Sequence, residues 1–375
     1  MGNLFRRMKL SEIGQIVAGG TPKTKIEEYW NGDVPWITPK DLSSHAGMYI
    51  SRGERNISQV GLDNSSAKLL PKGTVLFTSR APIGYVAIAR NEVTTNQGFK
   101  SIIVDDENDN IFIYYLLKNN IDIIENHANG STFKEISGSV MKSLEFGIPS
   151  LREQKAIAHI LSTLDDKIEV NNEINKTLEN MAQAYFDDMF PNVAAGDTTI
   201  GEYITPKRGK NLLSKDAISG EVPVIAGGLS PATYHNVSNT QSPVITISAS
   251  GANAGFVNLW TVPVWSSDSS FIDYGMTKDV YFWYVMLKKR QKEIYDSQTG
   301  SAQPHIYPKH ITIMPTIKLN VDEINLYTKR VTPLFKKIAN NLYEISKLQL
   351  IRDTLLPKLM SGEIRVPMDE EGDVS

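Results

Sequence analysis

Two helical stretches of this chain repeat one design at a spacing of 170 residues, and that repeat restricts the possible folds more than any other feature. The first stretch opens at Ser150-Leu-Arg-Glu153 and the second at Asn320-Val-Asp-Glu323. Each reads as a capping box: a short polar side chain accepts from an otherwise unpaired N–H, and the Glu three residues later reaches back. Apolar positions then alternate by four and three, through Ile157, Leu161, Leu164 and Ile168, then Leu178, Ala182, Tyr185 and Met189. Adding 170 gives Tyr327, Val331, Leu334 and Ile338, then Leu348, Arg352, Leu355 and Leu359. Asn171 and Asn341 interrupt the seam at the same place. Shared caps, register and flaw predict an internal duplication with one helical spacer in each half.

The segments between the helices repeat as well. The first 149 residues read as short strands between turn signals, at 34–38, 74–79, 85–89 and 101–104, followed by a short helix at 111–119. Phe112-Ile-Tyr-Tyr-Leu-Leu-Lys118 returns as Phe282-Trp-Tyr-Val-Met-Leu-Lys288, and Gly130-Ser131-Thr132 as Gly300-Ser301-Ala302. Further upstream the offset is expected to drift, matching Ser79 to Ser248, Gly84-Tyr85-Val86 to Gly255-Phe256-Val257 and Phe99 to Phe271. The order is globule, helix, globule, helix. The expected boundaries are 1–149, 150–191, 192–319 and 320–364, with an acidic tail at 365–375. The fold class is α+β: two similar β-rich domains separated by two long antiparallel coiled-coil helices. At about 1.5 Å per residue, 153–190 and 323–360 would each span roughly 55 Å. Pro191 ends the first, and Pro333 is expected to kink or loosen the early turns of the second. Each apolar seam is too narrow for a solitary helix, so the two are expected to pair. Leu161, Leu164, Ile168, Asn171 and Leu178 would meet Val331, Leu334, Ile338, Asn341 and Leu348, with Asn171 facing Asn341 to fix the register.

Composition removes several classes of function. The 375 residues contain no cysteine, which excludes disulfides, zinc ribbons and thiol chemistry and fits a reducing, cytoplasmic setting. No run of 18 apolar residues occurs, so no membrane span is expected, and the N-terminus has no signal-peptide core. Net charge is −3. Residues 1–150 hold 16 basic and 16 acidic side chains, whereas 151–190 hold 4 and 8, so the acid is concentrated in the first spacer and the tail. The globules are neutral to slightly basic, which permits DNA binding.

Catalytic constellations are missing. There is no glycine-rich phosphate loop ending in Gly-Lys-Ser or Gly-Lys-Thr, and no Asn-Pro-Pro-aromatic or Asp-Pro-Pro-Tyr methyltransferase tetrapeptide. Gly19-Gly20-Thr21-Pro22 is a turn, and Glu153-Gln154-Lys155 is a helix cap before it is a nuclease E-x-K. The six histidines show no metal-ligand spacing, and Ser248-Ala-Ser250-Gly251 has no acid–base partner. The candidates that remain are polar loop residues. Lys23, Lys25, Ser79, Arg80, Gln97, Lys100 and Lys134 lie in the first globule; Lys207, Arg208, Lys210, Ser250, Asn253, Gln303 and His305 lie in the second. Such side chains pair with base edges or hold phosphates. No catalytic residue, metal ligand or resident cofactor is expected.

The run Leu350-Ile-Arg352-Asp353-Thr-Leu355-Leu356-Pro357-Lys358-Leu359-Met-Ser361-Gly362-Glu363-Ile364 resembles the distal helix of type I restriction–modification specificity subunits. Ile148-Pro149-Ser-Leu-Arg152-Glu153-Gln154-Lys155-Ala-Ile157, Gly19-Gly20-Thr21-Pro22 and Gly73-Thr74-Val75-Leu76-Phe77-Thr78 extend the likeness over nearly the whole chain. The resemblance implies two target-recognition domains, each reading one half of a bipartite double-stranded DNA site. It implies helices that set the spacing and dock two methyltransferase subunits, to which restriction and translocase subunits can attach. S-adenosylmethionine would then sit on the methyltransferase partners, where the target adenine is flipped out. The rival readings are a non-catalytic scaffold binding protein or carbohydrate, and a self-contained DNA methyltransferase or nuclease.

Overall fold

The computed structural model describes residues 5–367 apart from 46, 81, 131–133, 301 and 302. The Ser131-Thr132 and Ser301-Ala302 parts of the expected repeat, and the tail from 368 onward, lie outside the described residues. The chain forms two compact units, one of Met1–Val170 with Glu344–Ser375 and one of Asn171–Tyr343. This division differs from the expected one, because it cuts through both spacers instead of separating them from the globules. Each helix half packs on the domain of its own unit, so helix and globule share one core.

In the first unit a five-stranded sheet has Gly14–Ala18, Lys100–Val104, Val75–Ser79, Ile83–Ala89 and Tyr49–Ile50 in that spatial order. A three-stranded sheet sets Trp30–Ile37 between Arg55–Ile57 and Thr94–Thr95, antiparallel to the former and parallel to the latter. Arg6–Lys9 pairs with Glu145–Ile148 and closes the domain just before the helix. The second unit repeats this plan. Lys207–Arg208, Ser269–Asp273, Val244–Ser248 and Val257–Trp260 form the larger sheet. Val222–Ile225 lies between Thr233–His235 and Trp265–Ser266, again antiparallel and parallel, and Thr198–Thr199 pairs with Pro315–Thr316. Strands and long helices together make the fold α+β, as expected.

Strand register bears out the expected drift of one at Val86 and Val257, which face Phe77 and Ile247, and corrects it elsewhere. Val75 faces Ile102 as Ile245 faces Ile272, and Thr78 bridges Phe99 as Ser248 bridges Ser269. The offset therefore stays at 170 here: Ser79 matches Ala249, not Ser248, and Phe99 matches Ser269, not Phe271. The short helices Asn110–Asn119 and Val280–Lys289 are also related by 170 and bury the same apolar run in each core.

The central helix runs Leu151–Met189 and the distal helix Val321–Ser361, unbroken through Pro333. In the first unit their contacts run antiparallel: Glu153 meets Arg365, Asp165 meets Arg352 and Lys167 meets Glu344. The second unit continues this sense, with Asn175 against Asn341 and the Tyr327 hydroxyl donating to Ala182 O at 2.9 Å. Leu161, Ile168, Val331 and Ile338 are buried, and Leu164, Leu178, Leu334 and Leu348 are half-buried, as the seam requires. Phe186, Phe190 and Phe335, which the four-three count passed over, are fully buried, the first two beside Tyr327 and Phe282 and the third against Tyr281 and Tyr284. The expected Asn171–Asn341 pairing is shifted by one turn, because Asn341 Nδ2 donates to Asn175 Oδ1 at 2.8 Å. Asn171 is itself buried and engaged.

The caps differ from their sequence signature as well. Ser150 Oγ accepts from Glu153 N at 3.4 Å, but the Glu153 carboxylate turns away and takes the Arg365 guanidinium at 2.6 and 2.9 Å. At the distal helix, Asn320 Oδ1 accepts from Asp322 N at 2.9 Å. A strong bidentate partner outcompetes one backbone N–H for the Glu153 carboxylate.

Candidate nucleic-acid interface

Antiparallel pairing gathers the same set of loops at one end of the larger sheet in each unit. In the first, strands finish or begin at Ala18, Ser79, Ile83 and Lys100, so the connections 19–25 and 96–99 emerge together with Arg80. The bridges Arg80–Glu135 and Asn129–Glu135 add the loop before Ile136. The other end of the sheet faces the helices. There the buried Gln154 amide accepts from Asp109 N at 2.9 Å and donates to Asn108 Oδ1 and Pro149 O, each at 3.0 Å. In the second unit the corresponding connections are 209–213, 249–256 and 267–268, and the Ser250–His305 and Thr299–His305 bridges add the segment before Ile306.

Side chains stitch the first loop set together. The Thr21 hydroxyl donates to Gln97 Oε1, and Trp36 Nε1 donates to Gly20 O at 3.0 Å. Gly19 N donates to Phe99 O at 3.4 Å and Gly20 N to Thr95 O at 2.8 Å. A Cβ on Gly19 would meet Asn96 O at 1.9 Å, so only glycine permits this approach. Lys23 and Lys25 project from the same loop and are exposed, and Arg80 Nη1 reaches Glu135 Oε2 at 3.4 Å. Lys134 is exposed but leans toward Glu125, 3.6 Å away on the helix Ile121–Asn126.

Two candidates in this set are interior, which corrects their assignment as surface contacts. Ser79 is 0% exposed and donates to Gly98 O at 3.1 Å, while Lys100 is 8% exposed. Lys100 Nζ sits 3.4 Å from Ser79 Oγ and 3.6 Å from Glu135 Oε1. Both fall where alternation along their strands points the side chain into the domain. They support the Glu135 loop from beneath.

The second set converges on Asp268. Arg208 Nη2 approaches Asp268 Oδ1 at 2.6 Å, the Ser250 hydroxyl donates to Oδ2, and Ala249 N donates to the Asp268 carbonyl at 3.1 Å. Lys207 and Lys210 are exposed, and Trp265 Nε1 donates to Lys210 O at 2.8 Å. Gly209 N donates to Ser269 O at 2.8 Å, and a Cβ there would meet Ser266 O at 2.5 Å. Lys210 N donates to Ser266 O as Gly20 N donates to Thr95 O, so Gly209-Lys210 is the structural counterpart of Gly19-Gly20. Asn253 is half-buried, with its carbonyl accepting from Phe256 N at 2.9 Å. Gln303 is exposed, and His305 is pinned through its backbone to Thr299 while its ring stacks on the exposed Tyr307.

Sequence reading missed Glu135, Asp268 and the two indoles, Trp36 and Trp265, that fasten the glycine loops. One signal was available. Asp33-Val34-Pro35-Trp36-Ile37 and Glu221-Val222-Pro223-Val224-Ile225 match at an offset of 188, and both lie in the middle strand of the smaller sheet. Among the described residues no group of three His, Asp or Glu side chains is placed to hold a metal, and no helix is long and apolar enough to cross a membrane.

The family model for the type I restriction modification DNA specificity domain matches residues 4–180. The type I restriction enzyme MjaIX specificity subunit of Methanocaldococcus jannaschii is 34% identical over 417 residues, covering 96% of this chain and 93% of that one. This chain belongs to the type I restriction–modification specificity subunits. A type I specificity subunit of Mycoplasma genitalium is 28% identical over 380 residues, covering 90% of this chain and 96% of its own. The crystal structure of a type I specificity subunit from M. genitalium superimposes with a TM-score of 0.64 at 23% identity, covering 98% of each chain, and shares the fold. The chain is accordingly a DNA-specificity subunit and not itself an enzyme.

Proposed function

We propose that each unit of this specificity subunit reads one half of a bipartite duplex DNA site through its sheet-end loops. The reading rests on one observation: the same scaffold presents the same loop set twice, with different polar side chains on it. In the first unit these are Lys23, Lys25, Arg80 and Gln97; in the second, Lys207, Arg208, Lys210, Ser250 and Gln303. A fixed scaffold with diverged loops suits two distinct half-sites. The long helices set the distance between the halves and dock methyltransferase subunits, two in number by the duplication, with restriction and translocase subunits joining through them. S-adenosylmethionine belongs on those methyltransferases, and nothing in this chain is asked to bind it.

The test is adenine methylation across the genome of a host lacking this locus, with this chain and its neighbouring methyltransferase co-expressed. A new bipartite motif that disappears when this chain is omitted supports the reading. A methyltransferase that is active with other specificity chains but writes no motif with this one refutes it. A protein- or carbohydrate-binding scaffold would show no steep salt dependence of DNA affinity, because it releases no counterions.

A further inference from the structure

Each sheet end carries an arginine held by a carboxylate, and the two pairs are built at different places on the shared scaffold. Arg80 follows the strand Val75–Ser79, at the position that Ser250 holds in the second unit, and its carboxylate partner Glu135 matches His305. Arg208 ends the strand Lys207–Arg208, at the position that Ala18 holds in the first unit, and its partner Asp268 matches Gly98. These equivalences follow from the backbone, since Ile136 N donates to Ser79 O as Ile306 N donates to Ala249 O.

The pairs are rigid at the carboxylate and open at the guanidinium. Glu135 is fixed by two backbone hydrogen bonds to Asn129 and lies 3.6 Å from the buried Lys100 ammonium. Asp268 is fixed by the Ser250 hydroxyl and by Ala249 N. Each arginine spends one terminal nitrogen on its carboxylate, and its side chain stays about 40% exposed, at 36% for Arg80 and 42% for Arg208. Each planar fork carries further donors beyond the one given to its carboxylate, on a side chain that solvent still reaches.

That arrangement suits a base edge better than a phosphate. A phosphate drawn to either guanidinium would also approach Glu135 or Asp268, and like charges would repel it. The O6 and N7 acceptors of guanine are neutral, and two N–H donors on one edge of a fork match them. Among the described residues the exposed ammonium groups of Lys23, Lys25, Lys207 and Lys210 form no ion pair, and they are the natural phosphate contacts.

Building on the half-site reading above, we propose that Arg80 and Arg208 each read a guanine in the major groove, one in each half-site. Glu135 and Asp268 act as positioning residues. Because the two arginines stand at non-equivalent scaffold positions, the guanines occupy different places within their half-sites.

The experiment is selection from a randomised duplex DNA library by the full chain co-purified with its methyltransferase, at two salt concentrations, with the thermal transition of each variant recorded. The wild-type chain should enrich a two-part motif with a required G·C pair in each part. Arg80→Lys, which keeps the charge and loses the fork, should relax one such pair in one part by about 10- to 100-fold and leave the other part unchanged. Arg208→Lys should do the reverse. Glu135→Gln and Asp268→Asn should relax the same pairs to a smaller degree with the salt slope unchanged. They serve as the second set should a lysine variant fail to fold. Uniform weakening with a shallower salt slope, or an unaltered motif, would overturn the guanine assignment alone. A wild-type chain that enriches nothing would overturn the half-site reading with it.

Discussion

Asn341 donates its amide hydrogen to Asn175 Oδ1 at 2.8 Å, and the two side chains are 0% and 8% exposed on facing helices of the second unit. The bond leaves Asn175 Nδ2 and Asn341 Oδ1 buried without a hydrogen-bond partner among the described residues. The pair therefore specifies which turns meet more than it stabilises them, since an apolar pair of similar shape would carry no such orphans. Asn341→Leu alone strands Asn175 and should destabilise the chain by about 1–3 kcal/mol in urea unfolding. Asn175→Leu combined with Asn341→Leu should recover most of that loss. Additive losses in the double variant would show that the bond is a net stabiliser and that its register role is wrongly assigned.

The Glu153 carboxylate is 5% exposed on its side chain and accepts from Nε and Nη2 along one edge of Arg365, which is itself half-exposed. Removing the guanidinium leaves a buried anion at the first turn of the central helix. Arg365→Ala should cost about 2 kcal/mol, a figure reduced from that of a fully buried pair because solvent reaches the arginine. The double variant Glu153→Gln with Arg365→Ala should cost less than Arg365→Ala alone. If Glu153 served only as a helix cap, Arg365→Ala would leave the midpoint where it is.

The duplication, the α+β class and the antiparallel seam were legible because apolar periodicity and strand alternation are local signals that survive divergence. Leu161, Val331 and Ile338 are buried where the periodicity placed them. What was hidden depends on geometry between distant segments. Lys100 reads as a surface cation until its strand is paired and Glu135 arrives from 35 residues downstream to take it inside the domain. Asp268 carries no motif at all, and it becomes the hub of its loops only when Arg208 and Ser250 converge on it. The Asn register slipped by one turn because a heptad count fixes a seam but not which of two asparagines, Asn171 or Asn175, meets Asn341. The counterpart of Gly19-Gly20 in the second unit was hidden for another reason. What recurs is the backbone approach at Gly19 and Gly209; Gly20 is also pressed against Ser66 and Ala67, a contact of the first unit, and Lys210 takes its place in the second.

That last point is testable by alanine. A Cβ on Gly19 would lie 1.9 Å from Asn96 O, and on Gly209 2.5 Å from Ser266 O, both backbone atoms that cannot swing aside. Gly19→Ala and Gly209→Ala should each displace a loop and destabilise the chain by about 2 kcal/mol or more, with loss of DNA affinity in the affected unit. Gly228 has its nearest neighbour at 3.5 Å, and Gly228→Ala should stay within about 0.5 kcal/mol of the parent. Equal effects at positions 209 and 228 would remove the structural equivalence drawn between Gly19 and Gly209.

The tyrosines beneath the helices set the alkaline limit of stability. Burial first, then the Asp165 charge and the 2.6 Å hydrogen bond to it, hold the Tyr115 hydroxyl far above the ordinary value of 10.0. Tyr114 is raised by burial and then by Asp165; in the second unit burial raises Tyr284 and Tyr327 in the same direction. A group whose pKa is higher folded than unfolded contributes stability that is complete below the unfolded value and is lost as pH climbs above it. There the unfolded chain sheds protons that the folded chain retains. The urea midpoint should therefore fall steeply above about pH 10. Tyr115→Phe should lower the midpoint at neutral pH, where the donor to Asp165 is lost, and should make the fall above that pH shallower. A fall of unchanged steepness in Tyr115→Phe would mean that this hydroxyl ionises in the folded chain as readily as in the unfolded one.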